Sequence, residues 1–123
     1  MEFTALYVEA SADEAIANVL FADPETNPDE PSVLMFSRSI EFADSAYYFE
    51  INDQSQSHYG GLQSVHLTRN HLTVTLQPEV VAEFGNEALA TVQVDFDVDD
   101  PTYASLLDTL KKIFAGDEVF VVE

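Results

Sequence analysis

Between Val65 and Leu76 the chain reads VHLTRNHLTVTL, and no other stretch restricts the fold as tightly. With Arg69 and Asn70 as a two-residue turn, Leu67 falls opposite Leu72 and Val65 opposite Val74. Side chains on a strand alternate between faces, so Val65, Leu67, Leu72, Val74 and Leu76 share one apolar face. Ser64, His66, Thr68, His71, Thr73 and Thr75 share the other. Such a hairpin has to be covered on one side only, and the rest of the chain must supply the cover.

TVQVDFDV, residues 91–98, has the same period: Val92, Val94, Phe96 and Val98 point one way and Gln93, Asp95 and Asp97 the other. It is expected to lie antiparallel in the hairpin's sheet. Asp100 is then expected to cap a helix opened by Pro101, in which Tyr103, Leu106, Leu107, Leu110, Ile113 and Phe114 recur at three and four residues until Gly116 stops it. PEVVAEFG, residues 78–85, reads as a short helix between a proline start and a glycine stop. Further strands are expected at residues 2–9, 19–22, 32–40 and 46–51, the last two central, with EVFVVE as an edge strand. Residues 13–22 also allow a helical turn. Residues 23–31, with three prolines and four acids, form an exposed loop. The expected fold is α+β and a single domain over residues 1–123. A mostly antiparallel sheet of about six strands carries one main C-terminal helix on one face, with a second short helix.

Charge narrows the function. The 123 residues hold 23 acids against four bases, Arg38, Arg69, Lys111 and Lys112, a net charge of −19. Such a field repels nucleic acid and anionic lipid and accelerates encounter with a basic partner. The same acidity also fits a salt-loving source or a simply solvated surface. No cysteine is present, which removes disulfides, thiolate metal sites and cysteine nucleophiles. MEFTALYVEA lacks the basic start and apolar block of a signal peptide, and no apolar run is long enough for a membrane helix, so a cytoplasmic location is expected.

Chemistry is thinly represented. Asp95, Asp97, Asp99 and Asp100 lie close together but look alike and solvated, whereas paired catalytic carboxylates need environments that separate their pKa values. A calcium loop would need its central glycine and terminal glutamate. His66 and His71 are diagonal neighbours on the hairpin's polar face, yet two imidazoles lack a third ligand. No serine elbow or phosphate cradle occurs. No cofactor and no metal are expected. EINDQSQSHYGG, residues 50–61, is different: in a chain this acidic it almost abandons charge. Turn chemistry accounts for Asn52, Asp53 and the glycines. It accounts less well for Gln54, Gln56, His58 and Tyr59, which favour contacts with another protein.

YYFEINDQ, YGGLQSVHLTRNHLTVTL and VDFDVDDPTYASLLDTLKKIF together, across residues 46–114, resemble the immunity protein 10 family of bacterial polymorphic toxin systems. The resemblance implies a small cytoplasmic α+β protein, without catalysis, that binds and blocks a cognate toxin domain. A basic, nuclease-type toxin would suit the charge. The residues expected to meet it are Asn52, Asp53, Gln54, Gln56, His58 and Tyr59, with Asp95 and Asp97 steering. Two other readings stand beside this one. A small α+β enzyme would need a titratable Asp or His facing a pocket between sheet and helix. An acidic accessory domain of a halophile would fold only at high salt.

Overall fold

The computed structural model describes residues 1–42 and 45–123. Its strands are β1 (Glu2–Thr4), β2 (Tyr7–Ala12), β3 (Ile16–Asp23), β4 (Ser32–Ser39), β5 (Tyr48–Ile51), β6 (Asp53–Tyr59), β7 (Leu62–Leu67), β8 (His71–Leu76), β9 (Thr91–Asp95) and β10 (Phe120–Val122). The helices are α1 (Pro78–Phe84) and α2 (Asp100–Ile113), with a 3-10 turn at Glu87–Leu89. The expected hairpin is present in the expected register, with Leu67 opposite Leu72 and Val65 opposite Val74. Its apolar residues are fully buried, while His66 and His71 lie on the half-buried outer face.

The α+β class holds, but the strands form two sheets instead of one of about six strands. The first sheet runs β1-β9-β8-β7-β10 and the second β2-β3-β4-β5-β6. Pairing is antiparallel except at the edges of the first sheet, where β1 runs parallel to β9 and β10 parallel to β7. As expected, β4 and β5 are internal strands and β10 is an edge. Each sheet buries one face, and both buried faces belong to a single apolar cluster shared with α2.

The division begins inside residues 2–9, which are not one strand. The Ala5 N–H donates to the Asp95 carbonyl at 2.8 Å in the first sheet. The next N–H, that of Leu6, donates to the Ala22 carbonyl at 2.9 Å in the second. The chain changes sheets between these residues, and the alternation breaks with it: Phe3 and Ala5 are buried, whereas Tyr7 is half exposed. Residues 16–23 then pair as a strand throughout. The Asp13 carboxylate accepts the Ala15 and Ile16 N–H groups at 2.8 and 2.9 Å and tightens the turn that feeds it.

Residues 53–59, outside every strand expected from the sequence, are instead the bulged edge strand β6. Glu50 faces Ser57 while the adjacent Ile51 faces Asp53, so Gln54, Ser55 and Gln56 have no counterpart on β5. Side chains replace the missing ladder bonds. Asn52 takes a positive φ of 67°, and its side-chain oxygen accepts the Val33 N–H at 3.0 Å. Asp53 accepts the Ser55 N–H at 2.8 Å together with the Ser55 hydroxyl. Polar residues thus continue a sheet here because they satisfy the backbone themselves.

Strand β9 ends at Asp95, three residues before the expected end. Its partner strand reaches the turn there, and the Phe96 N–H donates to the Asn70 carbonyl at 3.0 Å. Asp99, and not Asp100, caps α2, accepting the Thr102 N–H at 2.9 Å. Leu106, Leu110, Ile113 and Phe114 are buried as the spacing predicts, while Tyr103 and Leu107 are partly covered. α2 lies against β2, β3 and β4. Its ends are pinned by the two arginines. Arg69 donates to the Val98 carbonyl and to Asp100 at 2.8 and 2.9 Å and lies over the Tyr103 ring. Arg38 donates to the carbonyls of Ile113 and Ala115 at 3.1 and 2.8 Å, satisfying acceptors that a helix end leaves free.

Candidate functional site

The ladder of the second sheet lines up residues from all five strands on its outer face. One row runs Glu9, Leu20, Met35, Glu50, Ser57, and the next runs Ser11, Asn18, Ser37, Tyr48, Tyr59. Tyr7, Ala22 and Val33 extend it on one side and Ile16 and Ser39 on the other. Among the described residues this face carries two carboxylates, Glu9 and Glu50, in a chain with 23 acids. It also carries three tyrosines. Tyr59 is 70% exposed, Tyr7 51% and Ile16 41%.

Tyr48 and Tyr59 stand opposite each other with ring centroids 5.0 Å apart, and the Tyr48 hydroxyl donates to Glu50 at 2.6 Å. That bond, first among the causes, raises the Tyr48 pKa and keeps the phenol a donor. Beside the pair a groove of about 570 Å³ is bordered by Tyr48, Tyr59, Gln54, Glu50, Met35 and Ser37. The outer face of the first sheet is unlike this one. Its central positions are Thr73, Thr75, Ser64, Gln93, His66 and His71, with no tyrosine or phenylalanine among them.

The residues singled out in the sequence are distributed over several places. Gln54 and Tyr59 meet at the groove. Asn52, Asp53 and Gln56 line a separate cleft of about 750 Å³ with Met1, Asp29 and Asn86. His58 turns the other way, towards α1: its Nε2 is 3.4 Å from Glu83 and its Nδ1 3.2 Å from the Gly60 carbonyl. Gly61 makes room for that ring. It has φ +87°, and a Cβ there would lie 2.7 Å from both His58 Nδ1 and Val80 Cγ2. Asp95 lies on the first sheet, 2.6 Å from His71 Nδ1, and Asp97 is exposed in the connection to α2. His66 faces Glu123 at 3.2 Å. Among the described residues no group of three or more His, Asp or Glu side chains could hold a metal ion.

Tyr48, Met35, Leu20 and Tyr7 belong to the face and were not singled out. In YYFEI the alternation was available, since Tyr47 points inward and Tyr48 outward. It shows that Tyr48 faces solvent but cannot show which residues of other strands stand beside it.

The description of immunity protein 10 matches residues 2–104. The chain belongs to the immunity protein 10 family. The match takes in the first forty residues, where the sequence carried no resemblance, and ends in the first turn of α2. As an immunity protein 10 member the chain binds a toxin and performs no catalysis of its own. No curated protein and no solved structure matches it. No helix among the described residues is long and apolar enough to cross a membrane.

Several aspartates of this immunity protein hold turns and caps in the ionised form. Hydrogen bonds lower the pKa of Asp13 through the Ile16 N–H, of Asp53 through the Ser55 side chain and of Asp99 through the Thr102 side chain. A depressed folded-state pKa contributes stability that is complete above the unfolded value of about 3.9 and is lost as pH falls through the folded value. The stability advantage of wild type over Asp99→Ala is therefore expected to be constant from pH 8 to 5 and to shrink below about pH 4. Urea unfolding of both proteins at a series of pH values measures it, and an advantage that grows on acidification contradicts the cap.

Proposed function

We propose that the protein neutralises a basic, nuclease-type toxin domain in the cytoplasm of the producing cell by laying the outer face of the second sheet against it. The observation that carries this reading is the concentration of tyrosine and apolar side chains, with two carboxylates, on one face of a chain of charge −19. Burying a carboxylate without compensation costs several kcal/mol, so the centre of a contact is built from aromatic and neutral groups. Gln54 and Tyr59 belong to that centre. Asn52, Asp53 and Gln56 continue the contact along the β6 edge, and His58 supports it from behind through α1. Asp95 and Asp97 lie off the face and act through the field, raising the rate of encounter with a basic partner.

The test uses the toxin domain encoded beside this protein, with binding kinetics and rescue on co-expression. Asp95→Asn combined with Asp97→Asn is expected to slow association by about two- to tenfold and to flatten its salt dependence, with dissociation unchanged. A faster dissociation at unchanged association would put the aspartates in the contact and remove their steering role. If the wild-type protein neither binds that domain nor protects against it, the target is wrong.

A further inference from the structure

A sheet ends in unpaired backbone groups, and soluble proteins usually blunt such edges. Three of the four edges here are blunted. β1 and β10 are three residues long, and β6 carries the Gln54–Ser55–Gln56 bulge, where Asp53 accepts the Ser55 N–H. β2 is different. All six of its residues pair with β3 in unbroken register from Tyr7 opposite Ala22 to Ala12 opposite Ala17, and among the described residues it has no second neighbouring strand. From Tyr7 to Ala12 it contains no proline and no lysine, and the two-residue period is interrupted just before it, where the Leu6 N–H also turns to the Ala22 carbonyl.

Its hydrogen-bonding side follows from the turn. The Asp13 N–H donates to the Ile16 carbonyl at 3.1 Å, so with the two-residue period the N–H groups of Ser11, Glu9 and Tyr7 face β3. The N–H and C=O groups of Val8, Ala10 and Ala12 then point away from the sheet. α2 packs against β2 but makes no backbone hydrogen bond to it among the described residues.

We infer that β2 receives an extended segment of the toxin as a sixth strand, its N–H and C=O groups pairing with those of Val8, Ala10 and Ala12. This rests on the toxin-binding reading above. Charge selects the occupant: β2 carries Glu9 and no base, and Asp13 and Glu14 stand at its end. A second copy would bring another −19 to the same edge, whereas a segment bearing lysine or arginine is attracted to it. Leu6, 52% exposed, and Tyr7 offer apolar contact at the other end. Strand addition takes affinity from the backbone and specificity from side chains at alternate positions. Tyr7 also belongs to the outer face, so one partner can hold both surfaces.

Amide hydrogen exchange on the wild-type protein, alone and with the toxin domain encoded beside it, tests the proposal. Alternate amides report on the edge: those of Val8, Ala10 and Ala12 are expected to exchange fast in the free protein and at least tenfold slower in the complex. Those of Glu9 and Ser11 are expected to be protected in both. A complex that forms while Val8, Ala10 and Ala12 exchange as in the free protein overturns the added strand and leaves neutralisation standing. Absence of any complex overturns both. Protection of the three amides that rises with protein concentration in the absence of toxin assigns the edge to a second copy and overturns the inference. Ala12→Pro provides an independent variant, because residue 12 is exposed and its N–H faces outward, where proline is tolerated on an edge. It is expected to keep its fold and lose at least tenfold in toxin affinity, and unchanged affinity in the folded variant refutes the edge.

Discussion

Phe114→Ala is expected to lower the free energy of unfolding by about 3–5 kcal/mol, the usual cost of truncating a buried phenylalanine. The residue is 2% exposed at the end of α2 and holds three elements at once. Its ring lies 5.5 Å from Phe36 on β4, 5.1 Å from Tyr47 before β5 and 5.5 Å from Phe120 on β10. Phe36 and Phe120 belong to different sheets, so the cavity opens where the sheets are joined and neither can close it alone. Tyr47 makes collapse harder still, because its hydroxyl accepts the Leu62 N–H at 3.0 Å, and moving the ring would break a buried hydrogen bond. Guanidinium unfolding of wild type and variant gives the difference directly. A midpoint within the error of wild type would mean that α2 ends outside the core, and the two-sheet packing would have to be revised.

The parts of the fold that were legible in the sequence are those whose information is local. In 65–76 the period-two pattern and the two-residue turn agree, so register, burial and the outward histidines all follow from one assumption. In α2 the apolar spacing and the proline start agree in the same way, and only the capping residue shifts, because Asp99 and Asp100 stand together before Pro101. The second sheet was not legible, since nothing in EFTALYVE marks the point between Ala5 and Leu6 where the backbone changes partners. That point is set by Asp95 and Ala22, which lie far along the chain. Residues 52–57 misled for another reason. Asn, Asp and Ser serve equally well in a loop and in a bulge where their side chains replace ladder bonds, so composition alone cannot separate the two. The candidate site was half legible. Neutral Gln54 and Tyr59 were singled out, but Met35, Tyr48 and Tyr7 join them only through the register of five strands.

Tyr59→Ala is expected to weaken toxin binding by about 30-fold, equivalent to about 2 kcal/mol, and mainly through faster dissociation. A tyrosine at the centre of a contact contributes large area at little entropic cost, and this one is already oriented by the Tyr48 ring opposite it. Tyr48 is in turn fixed by its bond to Glu50, so the pair is arranged before the partner arrives. Stability is expected to change by less than about 0.5 kcal/mol, because the lost side chain is 70% exposed. Binding and folding are thereby separable in one variant. Gln54→Ala, at the same groove, is expected to act in the same direction and more weakly, since an amide on a bulge gives up more freedom on binding than a paired ring. Thr73→Ala supplies the contrast from the outer face of the first sheet and is expected to leave both kinetics and protection unchanged. If Tyr59→Ala and Gln54→Ala bind and protect like wild type while Thr73→Ala abolishes both, the toxin sits on the threonine face. The tyrosine-rich, sparsely charged surface of the second sheet would then need another explanation.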